Sequence, residues 1–530
     1  MPMQRRRFLH GAALAVAAGA MPLAVAASPA HVAARVRGGR VLGVREDGIH
    51  VFRGLRYGAD TAPRRFLPAL RETAWRGTCE AFDYAASAPQ AGNDGPGSED
   101  CLFLNLWTPA LRDGGKRPIL IYIHGGAYST GSGSDPLYDG ARLCRHGDVV
   151  VITLNHRLNA FGYLHLSAIA GPRYAQSGNV GQLDLVQALH WVREHAHEFG
   201  GDAGNITLFG QSGGGAKIAT LMAMPAARGL FHRAWTMSGQ QVTAAGPRAA
   251  DGRARLYLDA LGVQPGDTDA LLRLPASALV AALRTRDPSR TEDMALYFGP
   301  VMDGDTLPRH PFWPDAPSQS ARIPMVIGNT RDETRAFLGN DPANHALGWD
   351  TLPARLRAQQ YVDIDPAIVI AEYRRLYPHY TPSEVFFAAT TAGRSWRGAL
   401  EELEARARDG HHNTWAYQLD WYPRDVDPDG RMRAFHTLDI PLVFDNLEQP
   451  GARTGTSAMA QRVADAMRDA LLAFARNGDP RTGATQAWAP YSLAHRETLV
   501  LADTPRMQDD PRGGERRLYA RVPFVQRGTF

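Results

Sequence analysis

Short unbroken apolar runs recur along the chain, each followed by a loop and then by a helical pattern. Ile119-Leu-Ile-Tyr-Ile123 and Val149-Val-Val-Ile-Thr-Leu154 are two of them. Ile206-Thr-Leu-Phe209, Met325-Val-Ile327 and Trp415-Ala-Tyr-Gln-Leu419 continue the series. Runs without polar alternation suit strands covered on both faces, which predicts a large, mostly parallel sheet flanked by helices. Between the second and third runs, Leu183, Val186, Leu189, Val192 and Ala196 recur at three- and four-residue steps, with Asp184, Arg193 and Glu194 on other faces. That is an amphipathic helix ending near Phe199-Gly200-Gly201, and strand–helix–strand makes the fold class α/β. Residues 245–300 and 335–410 are rich in arginine and alanine and read as helical cap insertions over the catalytic face. No repeat or long polar linker divides the chain, so residues 28–530 are expected to form one catalytic domain.

The first 27 residues break this pattern. Arg5-Arg6-Arg7 precede an alanine-rich run, Gly11 to Ala27, interrupted by Pro22 and followed by small residues suited to cleavage. The layout is that of an export signal of twin-arginine type, which predicts a periplasmic or secreted protein. No other stretch is long and apolar enough to cross a bilayer, so no membrane span is expected in the mature chain. Loss of Arg5, Arg6 and Arg7, with no acid, lowers the formal net charge from +4 to +1. A near-neutral chain gives no reason to invoke nucleic acid as a partner. Cys79, Cys101 and Cys144 are too far apart in sequence for zinc or redox spacing. A Cys79–Cys101 bridge is allowed, but buried free thiols are the expectation, because a twin-arginine substrate folds in a reducing compartment.

Candidate chemistry enters at Gly210-Gln211-Ser212-Gly213-Gly214, a match to the G-x-S-x-G elbow. Ser212 would sit on a tight strand-to-helix turn where bulky neighbours two positions away would clash. The run Ile206–Phe209 before it and the helical stretch Ala216–Met224 after it supply that setting. His124-Gly125-Gly126-Ala127-Tyr128 follows the first strand, and small residues there let main-chain N–H groups approach an oxyanion. Gly126, Ala127 and Gly213 are the natural donors. With this elbow and loop, the α/β-hydrolase fold is the expected architecture.

Several segments resemble the type-B carboxylesterase/cholinesterase family across nearly the whole mature chain. Phe52-Arg-Gly-Leu-Arg-Tyr57 resembles F-x-G-I-P-Y, and Ser98-Glu-Asp-Cys-Leu-Phe-Leu-Asn105 resembles S-E-D-C-L-x-L-N. Asn155-His-Arg-Leu158 resembles N-Y-R-L, and Phe199–Asp202 with Asn205–Ser212 resembles the approach to the nucleophile. The resemblance implies that the acid is Glu333, in Asp332-Glu333, with Asp332 a rival one residue away. It also implies that the histidine is His436, in Ala434-Phe-His-Thr-Leu-Asp-Ile-Pro-Leu-Val-Phe444. The order Ser212, Glu333, His436 is that of an α/β-hydrolase.

This chain departs from the family at Gln211 and Gly213, where glutamate and alanine are common; the second change is expected to loosen the turn. Ala88 stands where the family's first disulfide begins. Between Pro89 and Glu99 there is no aromatic residue to face a quaternary ammonium, which argues against choline esters and for neutral ones. Ser238 matches a second buried family serine and is read as a structural hydroxyl satisfied by backbone.

The resemblance therefore implies a serine carboxylesterase acting on small to medium neutral esters, without cofactor or metal. A hydrolase of another acyl bond (carbamate, lactone, amide or feruloyl-type ester) would use the same groups. A non-catalytic, cholinesterase-like binding protein is disfavoured by retention of the serine, histidine, glutamate and oxyanion loop. His190, Glu194, His195, His197 and Glu198 crowd one segment, but their spacing fits no zinc motif and reads as polar decoration of a helix. The oligomeric state is not legible in the sequence.

Overall fold

The computed structural model describes residues 31–92, 97–288 and 294–526, so the leader expected over residues 1–27 lies outside the described residues. Among the described residues, thirteen strands form one sheet. Strands β1 (His31–Val36), β2 (Gly39–Glu46), β3 (Ile49–Arg56) and β5 (Phe103–Thr108) make an antiparallel wing. The short β4 (Thr78–Glu80) joins β2 in parallel. The centre consists of β6 (Arg117–Ile123), β7 (Val150–Leu154), β8 (Gly201–Gln211) and β9 (Arg233–Met237). It continues through β10 (Met325–Thr330), β11 (Thr414–Leu419) and β12 (Glu497–Leu501). These run parallel in the order β7-β6-β8-β9-β10-β11-β12, and β13 (Arg506–Asp509) closes antiparallel on β12.

All five expected strands lie in the parallel centre, and their apolar runs are buried on both faces. Ile119, Ile121 and Ile123 of β6 enter one hydrophobic core, while Leu120 and Tyr122 enter the core on the opposite face. Each such side chain removed from water contributes about 2 kcal/mol. The wing was not legible as runs, because residues such as Arg40 and Arg45 interrupt β2 around its buried Val41 and Val44.

The expected helix spans Val180–His195 and buries Val186, Leu189 and Val192 against the sheet. One residue departs from the pattern: Asp184, expected on a polar face, is fully buried. It receives Arg157 through Nε at 2.8 Å, Nη2 at 2.6 Å and the main-chain N–H at 3.1 Å. His195 and Glu198, part of the histidine-rich segment, accept the main-chain N–H groups of Arg37 and Arg35, each at 2.7 Å, and so tie β1 to this helix end.

Among the described residues, helices at Pro247–Leu261, Thr268–Arg273 and Ala276–Ala282 share a hydrophobic core with Phe66, Tyr128 and Phe161, and most of the helical segment 335–410 packs around another core. The last helix of the second segment, Arg397–Arg408, instead packs on β10 and β11. All three thiols are free. Cys101 and Cys144 are buried as expected; Cys79 is exposed on β4, because that three-residue edge strand buries none of its side chains.

Candidate active site

The strand order reverses around β6, and the loops leaving the carboxyl ends of β6, β8, β9 and β10 converge there, where open α/β sheets bind ligands. Ser212 directly follows β8, at φ 55° and ψ −125°, a strained conformation for a non-glycine residue. It is held by its N–H donating to the Met237 carbonyl at 2.7 Å and by its carbonyl accepting from Ala216 at 3.1 Å. The helix that follows, Gly213–Leu221, starts three residues before the stretch read from the sequence. A Cβ on Gly210 would lie 2.8 Å from the Gly214 carbonyl carbon, so the anticipated clash between elbow neighbours is real.

Gly126 and Ala127 both have positive φ, at 80° and 54°, and line a cavity of about 520 Å³ together with Ser212, Gly213 and His436. Gly213 does not loosen the turn. A Cβ there would lie 2.1 Å from the Ala127 carbonyl oxygen, so only glycine lets the elbow and the β6 loop come this close. Because the Gly213 N–H opens a helix, it has no intrahelical acceptor.

Glu333 is fully buried just beyond β10. Its Oε1 accepts from Asn329 Nδ2 at 3.2 Å and from the Thr330 N–H at 3.1 Å, while Oε2 takes a short hydrogen bond from His436 Nδ1. Asp332, the rival, instead lies beside Arg335, with Nε at 3.3 Å from Oδ1. His436 Nε2 is buried and has no hydrogen-bond partner among the described residues, so its bond to the Ser212 hydroxyl is not made in this structure. Such contacts commonly tighten only when substrate binds. Gln211 supplies a contact the sequence reading did not foresee: its Nε2 donates to the His436 carbonyl at 2.6 Å. Glutamate in its place would set a carboxylate against that carbonyl.

Ser238 corrects an expectation. Its hydroxyl is buried in the cavity wall without a hydrogen-bond partner, and only its main-chain N–H, at φ 50°, bonds to backbone, donating to the Gly328 carbonyl at 2.7 Å.

Two buried ionisable groups were not singled out from sequence. Asp439, three residues after His436, accepts from Tyr417 OH at 2.9 Å, and burial reinforced by the nearby Glu333 carboxylate pushes its carboxyl up to about 8. Lys217, on the elbow helix, donates to the His124 carbonyl at 3.0 Å, and burial lowers its ammonium to about 7. A lone lysine in Ala216-Lys-Ile-Ala-Thr-Leu-Met222 is a visible anomaly that would have marked it. Phe337, whose ring centroid lies 4.9 Å from that of His436, and Arg394 complete the far wall, with no sequence signal to announce either.

The sequence profile of the carboxylesterase family matches residues 29–518. The chain is 35% identical over 491 residues to the para-nitrobenzyl esterase of Bacillus subtilis, covering 90% of this chain and 96% of that one. It is 33% identical over 506 residues to the phenmedipham hydrolase of Pseudarthrobacter oxydans, covering 89% and 95%. Among solved structures, a carboxylesterase of Geobacillus stearothermophilus superposes with a TM-score of 0.81 at 37% identity, covering 92% of this chain and 99% of that one. With its mostly parallel, helix-flanked sheet of the α/β-hydrolase fold, the chain belongs to the carboxylesterase family and is a carboxylic ester hydrolase.

Proposed function

We propose that Ser212 is the nucleophile of this hydrolase, His436 its general base and Glu333 the acid that orients the imidazole. His436 Nε2 takes the Ser212 proton as Oγ attacks the ester carbonyl, then gives it to the departing alcohol. Glu333 fixes the tautomer and stabilises the imidazolium. The N–H groups of Gly126, Ala127 and Gly213 stabilise the oxyanion, worth about 3 kcal/mol for each donor removed. Water then hydrolyses the acyl-enzyme by the same steps in reverse roles. One observation carries this reading: His436 is held by Glu333 through Nδ1 while its buried Nε2 stays unpartnered in the wall of the cavity that Ser212 lines.

The substrates in this reading are small to medium neutral esters, with cationic choline esters disfavoured. A fluorophosphonate probe should label Ser212 in the parent and leave a folded Ser212→Ala variant unlabelled; labelling of the variant would refute the assignment. We further infer, from the arginine-led first 27 residues, that the chain is exported through a twin-arginine route and acts as one catalytic domain outside the cytoplasm. Mass spectrometry of the secreted or periplasmic protein should find a new N-terminus near residue 27; a leader kept intact in the cytoplasm would overturn this.

A further inference from the structure

Among the described residues, Arg394 is the one arginine or lysine in the cavity wall, and no aspartate or glutamate lines it. Arg394 reaches the cavity through a local break in a helix. The helix Pro382–Thr391 runs into a π-helical turn, Ala392–Trp396, before Arg397–Arg408 resumes. Neighbouring residues of an α-helix point about 100° apart, so three in succession do not share a face. Gly393, Arg394 and Ser395, all within this turn, line the cavity, in keeping with the frequent occurrence of π-turns at functional sites.

The Arg394 side chain is fixed by aromatic surfaces rather than by an acid. Its guanidinium carbon lies 4.0 Å from the Phe337 ring centroid and 5.6 Å from that of Tyr361, whose hydroxyl receives Nη1 at 3.4 Å. Phe337 in turn packs on His436. Arg331 and Arg512 are matched with Glu515, Arg335 with Asp332 and Arg433 with Glu384, whereas Arg397, three residues on, is buried and, like Arg394, makes no ion pair among the described residues. Arg394 is exposed and has no carboxylate within ion-pair distance among the described residues. Aromatic stacking holds the plane of a guanidinium and leaves its in-plane N–H donors open, and that fork matches a carboxylate. An already ordered fork loses little side-chain entropy when it binds.

We propose that Arg394 makes the site prefer esters that carry a carboxylate remote from the scissile bond, such as half-esters of dicarboxylic acids. The proposal rests on the reading of the Ser212–His436 cavity as the site of hydrolysis. It refines the expectation of neutral esters: these are still cleaved, and a distant anion adds binding. Met294 and Tyr297, which also line the cavity, suit the carbon chain between the two groups. Water adds across the acyl–oxygen bond to give acid and alcohol, and the remote carboxylate does not react.

The test compares matched esters on the full-length enzyme. Monomethyl adipate against methyl hexanoate places the anion on the acyl side. 3-Acetoxybenzoate against 3-methylphenyl acetate places it on the alcohol side. One anionic ester should exceed its neutral partner in kcat/KM by about 10-fold or more, and added salt should reduce that ratio. Arg394→Gln should remove the preference, chiefly through KM, while changing the neutral esters less than about threefold; Arg394→Lys should restore part of it. No preference for either anionic ester, or equal losses on charged and neutral substrates in Arg394→Gln, would overturn the proposal. Failure of the underlying reading looks different: Ser212→Ala would still hydrolyse methyl hexanoate at the parent rate.

Discussion

On the cavity wall built by the strand ends, Gly213 touches Ala127 so closely that no Cβ fits, Glu333 is fully buried, and Gln211 ties the elbow to the His436 carbonyl. On the facing wall, Phe337 and Arg394 are exposed and their segment packs mainly around a separate hydrophobic core. In the proposed mechanism the first wall places the reacting atoms, where an error of an ångström is costly, and it is made of main chain and buried hydrogen bonds. The second meets whatever substituents a substrate carries, and side chains there can change without disturbing the sheet. The contrast explains how one hydrolytic arrangement can serve different esters.

The largest effect expected from breaking the first wall is chemical. Ser212→Ala should lower kcat by about 10⁵-fold or more in steady-state assays while leaving the thermal midpoint near the parent's. Next comes a support beneath that wall. Asp184→Ala strands the buried Arg157 guanidinium without its counter-charge and should cost about 3–5 kcal/mol in urea denaturation. Gly213→Ala should lower kcat about 100-fold, because a methyl group must push Ala127 and its N–H away from the oxyanion position; activity within twofold of the parent would show that the close contact is not needed.

A smaller effect depends on pH. Asp439 is raised from 3.8 to about 8, so the folded protein keeps a proton that the unfolded chain gives up near its ordinary carboxylate range. Stability from this group is fully present at low pH and is lost as pH rises through about 8. Between pH 6 and 8, Asp439→Asn should remove roughly 2 kcal/mol of that decline, read as urea midpoints at the two pH values. Smallest of all is the facing wall. Phe337→Ala should cost about 1 kcal/mol of stability, since the partly covered ring packs on His436 and Arg394, and shift activity on methyl hexanoate only a few-fold. A loss as large as that of Gly213→Ala would erase the distinction between the walls.

Much of this was legible in the chain. The continuous apolar runs announced the parallel strands, since strands covered on both faces admit no polar alternation. The elbow announced its strand and helix, since only glycine tolerates the crowding around Ser212. The antiparallel wing escaped notice because its strands are interrupted by arginines whose neighbours alone are buried. Asp184 was assigned to a polar face because helical periodicity records spacing, not whether an arginine from a distant loop waits beneath. Ser238 was expected to find a backbone partner, but its buried hydroxyl, in the cavity wall, has none among the described residues.

The sequence by itself determined the class of fold, the family and the order of Ser212, Glu333 and His436, because these follow from local patterns and motifs read along one dimension. Tertiary structure alone decided that Gln211 ties the elbow to the His436 carbonyl, that Gly213 must lack a side chain, and that Arg394 stands over Phe337 beside the cavity. Each of these depends on groups distant in sequence meeting within a few ångströms, and such distances are set by packing of the whole sheet and its insertions.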